Sequence, residues 1–381
     1  MIPPLPLSKI REMQSLVGPE SVNLGLGQPV IEPPQELIAI VEETLRSADL
    51  GYTAFAGIPE LREQIASRVI GSEGKREQVC ITVGTTEALF ASMLTLLGPG
   101  DEVLIPDPGF ISYQAVSRIV GATPVRYPVR ARDGFRVDVD TIAACITENT
   151  KALIINSPNN PTGRIIPGDD LKRLGKLADE HDFYIFSEEV YSSINFTGTT
   201  ASAWGISDRV FLIDGISKIY AMTGWRLGWV VGPKALIKPI TTTHHYMVAC
   251  APAIAQQVLL RLNADNGTPG KRIRNVIQHA YNRRRHAMIE AITHQLGWEY
   301  IPPDGAFYLM LKIPGKLLKG STSEKIAKQM VAEQDVVTIP GSAFGTEGEG
   351  YLRLSFAVTE ETIYKGIERI AKFAGTSNAH G

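Results

Sequence analysis

Within the run FLIDGISKIYAMTGWRLGW, residues 211–229, one lysine, Lys218, stands among apolar, aromatic and glycine residues, and Arg226 follows eight positions later. A lysine withdrawn from water has a lowered pKa, and its neutral amine attacks a carbonyl to form a Schiff base. A surface lysine that snorkels its ammonium to water is the plain alternative. Arg226, a permanent cation, suits a phosphate on the molecule that carries the carbonyl. In VGTTEALF, residues 83–90, Gly84, Thr85 and Thr86 follow the apolar run VCITV and lead into a helix. Free N–H groups at a helix N-terminus beside two hydroxyls also attract a phosphate. A threonine acting only as an N-cap accounts for the same residues. SPNNPTG, residues 157–163, sets two amides before a turn; turn chemistry explains Pro161 and Gly163 but not the paired amides. SEEVY, residues 187–191, brings Glu188 and Glu189 to a strand tip. Each is either solvated or, if buried, in need of a cationic or protonated partner. Together the motifs call for an aldehyde that bears a phosphate and an aromatic or pyridine ring with a basic nitrogen.

These residues sit where short apolar runs stop. DEVLIPDP, KALIINSP, DFYIFSEE, RVFLIDGIS and GWVVGP, bounded by Gly, Pro, Asp or Asn, read as strands buried on both faces. PQELIAIVEETLRSAD, with Pro34 at its first helical position, TTEALFASMLTLLG, with Gly98 as its C′ residue, ISYQAVSRIVG and PGDDLKRLGKLADEHD read as helices. The alternation predicts an α/β fold whose mostly parallel sheet is covered by helices, with ligands beyond the carboxyl ends of its strands. From Pro269 the chain predicts one long connecting helix, then a smaller α+β domain containing GAFYLMLKIP, EKIAKQMVAEQD and GYLRLSFAV.

The chain of 381 residues has 38 Lys and Arg against 40 Asp and Glu, a formal charge of -2 that asks for no nucleic acid or other polyanionic partner. The basic run NRRRH at 282–286 reads as a solvated helix face. Cys80, Cys145 and Cys250 are too far apart in sequence for a disulfide framework or a zinc site. MIPPLPLSKIREMQ is not a secretion leader, and no window of about 18 residues is apolar enough to span a membrane, so a reducing cytoplasm is expected.

NSPNNPTG, SEEVY, SKIYAMTGWRLGW and YLRLSF, in this order and at these separations, resemble the class I/II aminotransferases of pyridoxal-5′-phosphate (PLP) fold type I, the family of the aspartate aminotransferases. The resemblance runs over nearly the whole chain. It implies a large domain with a seven-stranded, mostly parallel sheet between helices, and a smaller α+β domain. In numbers, it implies an N-terminal arm with part of the small domain over 1–45, the large cofactor-binding domain over 46–275 and the C-terminal small domain over 276–381.

By the same resemblance Lys218 forms the Schiff base with PLP and, once freed, carries the substrate proton. Glu188 holds the pyridine nitrogen, where the family usually has Asp; the additional methylene asks the ring or the strand tip to shift by roughly 1.5 Å. Asn160 and Tyr191 contact the phenolic oxygen. Gly84, Thr85, Thr86, Ser217 and Arg226 form the phosphate cup, although Gly215 stands where a further Ser is common. Phe110, in PDPGFISY, stacks on the ring. Arg353, with Gly27 and Asn160 beside it, grips the substrate α-carboxylate. Tyr52 reaches the phosphate of a neighbouring subunit, which implies a homodimer with a shared active site.

The implied reaction transfers an amino group from an L-amino acid to a 2-oxo acid. A C–S or related β-lyase is the alternative on the same fold, and a PLP-binding regulator would need a DNA-binding domain for which the chain has no room. Neither Arg11 nor Arg130 has a sequence context that dedicates it to an acidic side chain. Tyr113, Phe344 and Phe110 are candidates for an apolar side-chain pocket, so an aromatic, aliphatic or neutral donor is expected.

Overall fold

In the computed structural model, which describes residues 8–198 and 201–376, seven strands form the central sheet: β1 (Val79–Thr82), β2 (Glu102–Asp107), β3 (Thr123–Pro128), β4 (Thr150–Asn156), β5 (Tyr184–Glu188), β6 (Val210–Gly215) and β7 (Gly228–Val231). Their spatial order is β1-β7-β6-β5-β4-β2-β3, and β7 alone runs antiparallel to its neighbours. The apolar runs serve two faces at once. Val103, Ile105 and Ile154 enter one core while Leu104, Leu153 and Ile155 enter the other, as the strand's two-residue period requires. Helices α4 (Gly84–Leu96), α5 (Ser112–Ile119) and α7 (Lys234–Val248) cover the first face, and α6 (Gly168–His181) covers the second with Leu171, Leu174 and Ala178.

Three helices precede α4: α1 (Lys9–Ser15), α2 (Gln35–Ser47) and α3 (Pro59–Ile70). Pro34 lies one residue before the helix it was expected to begin. Gly98 does not take a left-handed conformation after α4; the chain leaves through an extended Leu97, and Asp101 accepts the Gly98 N–H at 2.8 Å. The stretch MIPPLPL lies outside the described residues.

The predicted long helix is present as α8 (Ala264–Ala291), but Asp265, Asn266 and Gly267 have φ of 47, 58 and 76°, so the regular helix follows them, near Pro269. Its basic face is not wholly solvated. Arg284 donates to Val30 O, and Arg285 donates to Pro303 O while lying over the Phe196 ring. The smaller domain holds an antiparallel sheet in which β8 (Tyr308–Lys312) pairs with β9 (Tyr351–Ser355), backed by α9 (Glu360–Thr376). Val22–Asn23 pairs in parallel with Val336–Val337. That pairing carries the next residues, Gly25 to Gly27, to the mouth of the large sheet.

Candidate active site

Strand register assembles the site. Asn156 pairs with Glu188 and Glu188 with Ile213, so β4, β5 and β6 end together at the carboxyl edge of the sheet. Beyond that edge lies a cavity of about 500 Å³. Lys218, Glu188, Tyr191 and Asn160 line it together with Arg353 and Gly27, and so do Thr85, Thr86, Phe110, Ser217 and Arg226.

Gly84 lies directly beneath, at φ +76°, where a side chain would strike the Arg226 guanidinium. Gly228 likewise admits the turn, because a Cβ there would lie 2.7 Å from Thr85 N. The two glycines thus let the start of α4, the Arg226 guanidinium and the sheet edge meet. Val83, not a threonine, is the N-cap of α4 and has no side-chain cap bond, so the reading of Thr85 or Thr86 as N-cap fails. Arg226 Nη1 lies 3.5 Å from Ser217 Oγ and donates to Thr223 O at 3.1 Å.

Lys218 is only partly exposed, and its Nζ donates to Gly27 O at 2.8 Å. Burial pulls its amine down to about 8; Glu188 opposes that shift, while Arg353 and Arg226 add to it. Snorkelling is therefore not its state. The Glu188 carboxylate accepts from Tyr113 OH at 2.5 Å and from Thr85 Oγ1 at 3.3 Å. Burial raises its pKa, and these two hydrogen bonds and Lys218 hold the shift down. Glu189 points elsewhere. Burial pushes it up to about 7, and it accepts from Ala203 N and from the hydroxyls of Ser202 and Ser187. Neutral donors, not a cation, satisfy it.

Arg353 is 2% exposed and has no acidic partner among the described residues. It lies between the Tyr308 and Phe344 rings, 4.4 and 4.8 Å from their centroids. Nη1 donates to Asn160 Oδ1 at 3.0 Å, Nη2 donates to Gly25 O, and Nε has no partner. Because a guanidinium only donates, Asn160 must turn its oxygen to Arg353 and keep its amide N–H groups for another acceptor. Tyr191 OH lies 3.1 Å from Tyr308 OH, and burial raises the Tyr191 pKa far above its ordinary value, so it remains a donor.

One expected residue is not brought in: Tyr52 is 94% exposed and away from its own chain's cavity. Of the three aromatics considered for an apolar pocket, only Phe110 lines the cavity; Tyr113 holds Glu188 and Phe344 holds Arg353. Conversely, Arg11, on α1, does line it and makes no ion pair among the described residues. The sequence gives little signal for Arg11, because α1 is placed by contacts to distant segments, among them the Lys9–Glu324 and Glu12–Lys328 ion pairs.

The cavity fits PLP. A helix N-terminus and Arg226 lie in the same space as a depressed lysine, a carboxylate and a buried arginine that lacks an anion. The sequence profile of the aminotransferase class I and II family matches residues 19–370. An aspartate aminotransferase of Pyrococcus horikoshii is 33% identical over 374 residues, 96% of this chain and 94% of that one. Aromatic-amino-acid aminotransferase 2 of Thermococcus litoralis is 33% identical over 375 residues, 96% of this chain and 95% of its own. The solved structure of Thermus thermophilus aspartate aminotransferase with maleate superposes with a TM-score of 0.89 at 32% identity, covering 97% of each chain. The chain belongs to the class I and II aminotransferases. It is a PLP-dependent enzyme that transfers amino groups, and its relatives favour that reaction over the lyase alternative.

Proposed function

We propose that this enzyme moves an amino group from a dicarboxylic L-amino acid to a 2-oxo acid, with Lys218 as Schiff-base residue and proton carrier. PLP supplies the aldehyde carbon that receives the amine and a cationic ring that accepts the electrons left when the substrate Cα loses its proton. Glu188 holds the proton on the ring nitrogen. Thr85, Thr86, Ser217 and Arg226, with the backbone N–H groups that open α4, hold the phosphate. Phe110 covers a face of the ring, and Asn160 and Tyr191 donate to its phenolic oxygen. Lys218 Nζ, its pKa drawn down to about 8 by burial, takes the proton from the substrate Cα in its neutral form.

The observation that carries this reading is Arg353. A buried guanidinium with no acidic partner and an idle Nε among the described residues awaits an anion, and the planar carboxylate of an amino acid meets it in a bidentate pair. Gly27 and Asn160 flank that pair and turn the Cα–H bond toward Lys218. The donor class rests on Arg11, a cation on the same cavity with no ion pair among the described residues, and on relatives named aspartate aminotransferases. This departs from the neutral donor that the sequence favours.

Three further parts belong to the reading. Tyr52 reaches the phosphate of a partner in a homodimer; Tyr52, Phe55 and Tyr246 are all exposed, and Phe55 stacks on His245 at 3.8 Å. The domain limits are 1–45, 46–275 and 276–381, with the first segment tied to the small domain by Val22–Asn23. The setting is a reducing cytoplasm, which suits three unpaired cysteines.

The test is the absorbance of the PLP-loaded enzyme mixed with single amino acids and no oxo acid. Loss of the visible band with gain of the pyridoxamine phosphate band, strongest for aspartate or glutamate, is expected. A persistent band with accumulating pyruvate or ammonia rejects it.

A further inference from the structure

Beneath the phosphate end of the cavity lies a buried polar pair with no part in the chemistry above. Glu87, one turn into α4, is 9% exposed, and His244 of α7 is fully buried with Nδ1 2.7 Å from Glu87 Oε1. The other carboxylate oxygen, Oε2, accepts the backbone N–H of Val83. His244 Nε2 has no partner among the described residues, so Glu87 is the ring's polar contact. The neighbouring Cys80 thiol is pushed up to about 12, chiefly by burial, and brings no charge.

Val83 joins β1 to α4. A partner for its N–H drawn from the helix's own first turn fixes the angle at which the helix leaves the strand. Gly84 then turns at φ +76° against Arg226, and Thr85 and Thr86 follow into the cavity wall. The N–H groups and hydroxyls that face the phosphate therefore take their direction from this turn. Glu87 itself does not line the cavity. Its two oxygens are committed to Val83 and His244, which keeps a carboxylate from turning toward the anion that α4 is to receive.

We propose that Glu87 and His244 are a positioning pair for the cofactor's phosphate: His244 fixes the Glu87 carboxylate, and Glu87 pins Val83 and the first turn of α4. The proposal rests on the assignment of that turn and Arg226 to the phosphate.

Binding of two ligands to the apoenzyme tests it: PLP, and pyridoxal, which has the same aldehyde and ring without the phosphate. Glu87→Leu removes both contacts and raises the Kd of PLP about tenfold, while that of pyridoxal changes less than about twofold. His244→Ala acts in the same direction, and His244→Gln, whose amide N–H can donate to the same oxygen, restores binding. Equal losses for the two ligands, no loss, or no restoration by Gln overturns the proposal. Should Glu87→Leu fail to fold, the two His244 variants carry the test. Arg226→Gln separates the two levels of the argument. If it does not weaken PLP selectively, the phosphate assignment is wrong; if it does while the Glu87 and His244 variants do not, the positioning pair alone is rejected.

Discussion

Arg353 and Asn160 hold each other across the seam between the two domains, Nη1 to Oδ1 at 3.0 Å, deep inside a site where no acidic side chain faces the guanidinium among the described residues. The contact fixes two orientations at once. Arg353 keeps its plane between Tyr308 and Phe344, and Asn160 keeps its amide N–H groups free.

Arg353→Lys removes the planar fork but leaves a charge. We expect kcat/KM for the amino donor to fall about a hundredfold, the ~3 kcal/mol lost when a buried charge-assisted pair is broken. PLP affinity should be unchanged under the proposed assignment of Arg353 to the substrate carboxylate. Equal loss of PLP and substrate, read by absorbance titration and steady-state kinetics, would count against the division of roles.

Lys218 gives a pH prediction. Its pKa lies at about 8 in the folded apoenzyme against an ordinary 10.5, so below pH 8 folding buries a cation and the cost is fully present. Between these values the unfolded chain binds more protons, and stability rises with pH; above 10.5 the cost is gone. Lys218→Met should therefore stabilise the apoenzyme by up to about 3 kcal/mol at pH 7, with the gain shrinking through pH 8–10.5. Denaturant unfolding across that range reads it, and a pH-independent difference would reject it.

Much of this site can be read in the sequence because its residues terminate strands. Lys218, Glu188 and Asn160 follow apolar runs whose burial fixes their register, and register then fixes which tips meet. What cannot be read is contact between distant segments. Glu189 looked equivalent to Glu188, yet strand alternation turns it to Ser187, Ser202 and Ala203. Tyr113 and Phe344 carry apolar bodies that suggest a pocket, while their polar or cationic contacts depend on α5 and β9 packing near β5. Gly98 has the residue type of a left-handed cap, but Asp101 takes its N–H instead.

The Glu188 side chain, longer by one methylene than the family's usual Asp, is held by Tyr113 OH and Thr85 Oγ1. Tyr113 lowers the pKa of that carboxylate against the upward push of burial. Tyr113→Phe removes this support, so Glu188 protonates at higher pH and the acid limb of the kcat profile moves upward. Glu188→Gln, which cannot hold the ring nitrogen's proton by charge, should cost on the order of a hundredfold in kcat with PLP still bound. An unmoved acid limb in Tyr113→Phe, or unchanged kcat in Glu188→Gln, would remove Glu188 from the ring nitrogen.

The proposed dicarboxylic donor rests on Arg11. It reaches the cavity from α1, which precedes the Val22–Asn23 strand, and it lines the same cavity as Arg353. Two cations lining one cavity, one buried and one exposed, match an amino acid with two carboxylates. The exposed pair is worth less, because water screens it. Arg11→Gln should thus lower kcat/KM for aspartate relative to phenylalanine by about tenfold, mostly through KM, and the loss should shrink as salt is raised. A salt-independent loss equal for both donors would mean that Arg11 supports the fold of α1, and a wild-type preference for phenylalanine over aspartate would return the site to the neutral donors that the sequence favours.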